Sequence, residues 1–125
     1  MKKILIVDDD AEQLEIFSNL FKKRYKGYEI IAKTDIREVK EILSNGGVDL
    51  LLSDWNMPDG EAGEDLLRYS KQNNPRTPVI IMSNSSCFKK DDNPANYHDL
   101  EKADALISKD FDERVYRTID NILKN

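Results

Sequence analysis

The sequence predicts an α/β fold, a single doubly wound parallel sheet with helices on both faces. Five short runs rich in Ile, Leu and Val predict it first: Lys3–Val7, Tyr28–Thr34, Leu50–Ser53, Val79–Met82 and Ala105–Ser108 alternate with stretches patterned at helical spacing. The runs mostly lack strict apolar–polar alternation, as strands covered on both faces do. The polar residues Asp8-Asp9, Asp54, Ser83 and Lys109 fall just after four of the runs. Ligands in open parallel sheets sit at the carboxyl ends of the strands.

Taken in order, the first run follows Lys2-Lys3 and resembles the opening of a signal peptide. Its apolar part, Ile4–Val7, breaks at once into Asp8-Asp9-Asp10, so a buried strand is expected instead. Leu14, Phe17, Leu20, Phe21 and Tyr25 then mark one helix face, with Asp10 and Gln13 as an N-cap pair. Ile36, Val39 and Leu43 mark a second helix, capped by Asp35 and ended by Gly46-Gly47. Leu66, Leu67 and Ser70 mark a third, stopped before Pro75. A long polar stretch after Ser83 is expected to hold a further helix. Val115, Ile119, Ile122 and Leu123 mark the last. Right-handed crossovers join such strands.

Length and composition bound the function. The 125 residues suit one domain, 1–125, large enough to bury a core without metal or disulfide staples. Hydrophobic residues make up 39 % and charged residues 34 %, which points away from disorder. Cys87 is the one cysteine, and no apolar stretch is long enough to span a membrane, so a reducing, cytoplasmic location without membrane attachment is expected. A net charge of −5 argues against direct binding of nucleic acid. The basic cluster Lys22-Lys23-Arg24 with Lys26 reads as a solvated helix end.

The acidic residues carry the chemistry. Two carboxylates about 4 Å apart repel by roughly 4 kcal/mol at an effective dielectric near 20. A cluster of them raises its pKa values or takes a cation. All-oxygen donors suit Mg²⁺. The single histidine, His98, is remote from these motifs in sequence, which argues against zinc or copper. An aspartate can act as a nucleophile toward phosphorus, with a lysine and a hydroxyl neutralising the phosphoryl oxygens. Asp54, Lys109 and Ser83 supply those groups.

Four segments carry a family resemblance. They are Leu51-Leu52-Ser53-Asp54-Trp55-Asn56-Met57-Pro58 with Gly60 and Gly63, Ile4-Leu5-Ile6-Val7-Asp8-Asp9, Ile80-Ile81-Met82-Ser83 and Ile107-Ser108-Lys109. In this order, each at a strand end, they resemble the receiver domain of response regulators in two-component phosphorelays, from Lys3 to Leu123. The resemblance implies a flavodoxin-like five-stranded sheet of order 2-1-3-4-5. It implies that Asp54 is phosphorylated, and that Asp9 and Asp54 ligate Mg²⁺ (or Mn²⁺) through side chains and Asn56 through its backbone carbonyl. It places Asp8 on the metal through a water, Ser83 as the switch hydroxyl, and Lys109 on the phosphoryl group. The donor would be a sensor histidine kinase or a histidine phosphotransfer protein, and the output a downstream protein effector. Phosphorylation-dependent homodimerisation is left open. No enzymatic activity is implied beyond self-phosphorylation from a donor and self-dephosphorylation.

The chain departs from the family pattern at four places. Asp110 stands where a proline, often cis, usually follows the lysine; a cis bond before a non-proline costs about 2.5–4 kcal/mol, so strain is retained or the loop is rebuilt. Leu106 replaces the switch aromatic of the fifth strand. Asn84 replaces a small residue after Ser83. The segment Asn84–Asp99 is longer and more polar than usual. Three other readings compete. An aspartate-nucleophile phosphohydrolase would carry a second carboxylate two residues after its nucleophile, where this chain has Asn56. A flavin or nucleotide module would need a phosphate cradle after strand 1, where Asp8-Asp9-Asp10 repel phosphate. A degenerate, phosphorylation-independent scaffold fits Asp110 and Leu106 but not the complete acidic site.

Overall fold

The computed structural model describes residues 2–54, 62–83 and 103–124, with the backbone alone described at 62–64 and 83. In chain order the elements are β1 (Lys2–Val7), α1 (Ala11–Arg24), β2 (Tyr28–Lys33), α2 (Ile36–Ser44), β3 (Leu50–Asp54), α3 (Ala62–Asn73), β4 (Val79–Ser83), β5 (Ala105–Ser108) and α4 (Glu113–Lys124). All pairings are parallel, in the order β2-β1-β3-β4-β5. The expected class and strand order are therefore those observed. Strand ends differ by a residue from expectation at β1, β2, β3 and β4; Asp54 and Ser83 belong to their strands as final residues rather than following them. The expected helix after Ser83 lies outside the described residues.

The missing alternation has a direct cause. Successive side chains of a strand point to opposite faces. Ile4 and Ile6 of β1 enter one core with Leu50 and Leu52 of β3, beneath Leu14, Phe17 and Phe21 of α1 and Val115 and Ile119 of α4. Leu5 and Val7 enter the other with Leu51, beneath Val39 and Leu43 of α2 and Leu66 and Leu67 of α3. Both faces of β1 and β3 are thus covered, and Ile4–Val7 and Leu50–Leu52 are completely buried. The first strand is core, as expected.

Local chemistry sets the helix ends. Asp10 caps α1, its Oδ1 accepting from the backbone N–H of Glu12 (3.0 Å) and of Gln13 (3.3 Å). Asp35 caps α2, accepting from the Arg37 N–H at 2.9 Å. Beyond α2 the chain turns through Gly46 and Gly47, at φ 76° and 85°, a left-handed conformation that favours glycine.

A row of aromatic rings ties α1 to the segment around α4. Phe17 and Phe21 hold the Phe111 ring at centroid distances of 4.8 and 5.4 Å. At the end of the helix the Tyr25 hydroxyl donates to Asp120 Oδ1 (2.7 Å), and Arg24 pairs with Asp120 Oδ2 at 3.1 Å while lying over the Tyr116 ring. Lys22, Lys23 and Lys26 are exposed, in keeping with a solvated helix end, but Arg24 is committed to this clasp.

Candidate acidic site at the carboxyl edge of the sheet

The carboxyl ends of β1, β3 and β5 meet at one rim. β1 and β3 are neighbours, with Val7 opposite Ser53, so Asp8 and Asp54 emerge side by side. Asp8 and Asp54 are buried, and Asp9 is exposed. Carboxylate oxygens of the three lie within 4.8 Å of one another. These hard oxygen donors fit a divalent cation such as Mg²⁺.

Lys109, immediately after β5, reaches across the sheet to this cluster. Its side chain is only 11 % exposed. Its Nζ lies 3.1 Å from Asp54 Oδ1, 3.3 Å from Asp8 Oδ2 and 3.0 Å from Gln13 Oε1. An ammonium has three protons, so each has an acceptor. Burial pushes the Asp8 carboxyl above its ordinary range, against the opposing pull of the Asp10 N–H and of Lys109. Burial would depress Lys109, but the hydrogen bond and charge of Asp54, reinforced by Asp8, hold it above its usual value.

The Lys109–Asp110 peptide is trans, since the described residues contain no cis bond. Of the two outcomes expected at this proline-less position, the loop is the rebuilt one. The Asp110 N–H, which a proline would lack, donates to Ser108 Oγ at 3.0 Å. Asp112 Oδ1 then accepts from the Val115 N–H at 3.1 Å at the start of α4. Phe111 is fixed on α1 by Phe17 and Phe21. With this loop Lys109 still reaches Asp54, at 3.1 Å.

Ser83 arrives at the same rim by register. Asp54 is opposite Met82, and Ser83 is opposite Ser108, the residue before Lys109. Leu106 lies on the edge strand β5 and is 46 % exposed, with no hydroxyl to offer. Asn56, Trp55, Met57, Pro58, Asn84, Cys87 and His98 lie outside the described residues.

One site residue is used differently from its expected part. Gln13 joins Asp10 in the cap only through its backbone N–H; its side chain turns to Lys109. The signal was present in the helix pattern. Gln13, Phe17 and Phe21 are spaced i, i+4, i+8 along α1 and share a face. Phe17 and Phe21 grip Phe111, so the residue one turn earlier meets Lys109, two positions before Phe111.

Comparison with known proteins agrees with this architecture. Residues 4–119 match the response regulator receiver domain family. The chemotaxis protein CheY of Pseudomonas aeruginosa is 43 % identical over 84 residues, covering 65 % of each chain. The response regulator PilR of the same organism is 35 % identical over 85 residues, which cover 66 % of this chain and 18 % of PilR. This chain thus spans a minor part of the longer relative. TrrA of Thermotoga maritima, solved in complex with the histidine kinase ThkA, superposes at a TM-score of 0.77 with 22 % identity over all of both chains. That likeness speaks to the fold alone. The chain belongs to the response regulator receiver domain family.

No helix among the described residues is long and apolar enough to cross a membrane.

Proposed function

We propose that the chain, as one receiver domain over residues 1–125, accepts a phosphoryl group on Asp54 from a phosphohistidine donor and uses it to switch a protein-binding surface. The observation that carries this reading is the rim itself: three carboxylates converge within 4.8 Å, and a cation held among them, Lys109, lies 3.1 Å from Asp54.

Asp8, Asp9 and Asp54, with the backbone carbonyl of Asn56 as the family pattern implies, are the groups that would hold Mg²⁺ (or Mn²⁺). When bound, the ion neutralises charge on the carboxylates and on the incoming phosphoryl oxygens. In the transfer, an Asp54 carboxylate oxygen forms a bond to phosphorus, the phosphorus–nitrogen bond of the donor breaks, and the leaving imidazole takes up a proton. Lys109, already at the nucleophile, moves to an oxygen of the transferred group. The Ser83 hydroxyl donates to another. The aspartyl-phosphate adds charge and strong acceptors to a rim at the strand ends, which biases a two-state surface.

The donor is a sensor histidine kinase or a histidine phosphotransfer protein, in keeping with the family and with the kinase complex formed by TrrA. The output is a protein effector. Turnover is limited to self-phosphorylation from the donor and self-dephosphorylation. Incubation with a small phosphodonor and Mg²⁺, followed by intact mass measurement, tests the reading: a single phosphoryl adduct forms on the wild type and not on Asp54→Asn. An unmodified wild-type chain would point to the scaffold reading.

A further inference from the structure

Of the three acceptors on Lys109 among the described residues, two are the carboxylates of Asp8 and Asp54, and both residues belong to the cluster suited to a divalent cation. An ammonium and a divalent cation carry charge of the same sign and compete for them. The third acceptor, the Gln13 amide oxygen at 3.0 Å, is neutral and lies outside the carboxylate cluster. It is anchored from two sides. The Gln13 backbone N–H is fixed by the Asp10 cap, and α1 is fixed to the Lys109 loop one turn later by Phe17 against Phe111.

We infer that Gln13 is a positioning residue: its amide oxygen holds the Lys109 ammonium at the rim when a divalent cation takes the carboxylate oxygens. The inference rests on the reading of the rim as a cation and phosphoryl site. Without Gln13, cation binding strips Lys109 of its acceptors and leaves a largely buried ammonium unpaired, so part of the cation's binding energy is lost to that penalty. With Gln13, Lys109 keeps one partner and stays within reach of the arriving phosphoryl group.

Calorimetric Mg²⁺ titration of the unphosphorylated full chain tests this in a double-mutant cycle. Gln13→Met removes the acceptor while keeping length and helix preference, and Gln13→Leu serves as a second variant. With Lys109 present, either substitution should weaken Mg²⁺ binding by roughly tenfold, as loss of a hydrogen bond to a charged group does. In a Lys109→Met background the same substitution should change it by less than about twofold, the scatter of independent sites. An equal loss in both backgrounds would show that Gln13 acts on the cation without Lys109, and no loss in either would show that it does not act at all. Either result overturns the inference while leaving phosphoryl acceptance intact. A wild-type chain that binds no Mg²⁺ would overturn the inference and the functional reading together.

Discussion

Two of the charged clusters that join distant parts of this chain are built on opposite principles. At the end of α1, Arg24 and the Tyr25 hydroxyl share one carboxylate, Asp120. One guanidinium meets one carboxylate, the charges balance, and both groups remain about a third exposed. At the carboxyl edge of the sheet, three carboxylates face one ammonium among the described residues, with Asp8 and Asp54 almost wholly removed from water. The first cluster is complete as it stands and serves to fasten α1 to α4. Among the described residues the second sets more carboxylates than cations together, and a bound cation would relieve their repulsion. An arrangement that costs stability in isolation points to a ligand, whereas a balanced one points to architecture.

Substitutions in each cluster should separate these roles. The largest effect is expected from Lys109→Met, which removes the cation beside Asp54. Phosphoryl uptake from a small donor should fall by about 100-fold, the scale on which loss of one charge-stabilising donor acts. Labelling time courses would show it, and an unchanged rate would place Lys109 in a structural role like that of Arg24.

Tyr25→Phe addresses the balanced cluster. It should cost about 1 kcal/mol in denaturant unfolding, the net value of one hydrogen bond, and leave phosphoryl uptake unchanged. Burial, reinforced by Asp120, raises the Tyr25 phenol above its ordinary value of 10.0. The folded state therefore favours the protonated phenol. The stability this contributes is fully present below pH 10 and is lost as pH rises through the elevated folded value. The phenylalanine variant should lose that share of the alkaline decline, which unfolding curves across the window would reveal.

The smallest effect carries the most diagnostic sign. Asp9→Asn lowers the charge excess at an exposed member of the rim, and should raise metal-free stability by about 0.5 kcal/mol, a modest value because solvent screens it. In saturating Mg²⁺ the order should invert, with the wild type more stable. A destabilising Asp9→Asn in metal-free buffer would mean that the rim carries no excess charge to relieve.

Much of this was legible in the sequence, for reasons that can be named. Ile4–Val7 and Leu50–Leu52 declared themselves because strands buried on both faces are apolar without interruption. Asp8, Asp54 and Lys109 stood out because a charged residue closing such an apolar run falls at the carboxyl edge of the sheet. Gln13 did not, since a glutamine three residues after a helix cap has an ordinary local explanation, and its actual partner lies 96 residues away in the chain. The clasp was hidden for the same reason: Arg24 looked like one of several solvated basic residues, and nothing local links it to Asp120. The missing proline after Lys109 suggested strain or rebuilding. The trans Lys109–Asp110 peptide decides between them, together with the Asp110 bond to Ser108 and the seat of Phe111 between Phe17 and Phe21.

If the acidic rim serves phosphoryl transfer, Asp54 is where the group must arrive. Site-mapped mass spectrometry after treatment with a small phosphodonor tests it most directly, with and without Mg²⁺. One acyl phosphate is expected, mapped to Asp54 and formed only when Mg²⁺ is present. A phosphoryl group mapped to another residue, or one that forms equally well without the metal, would contradict it.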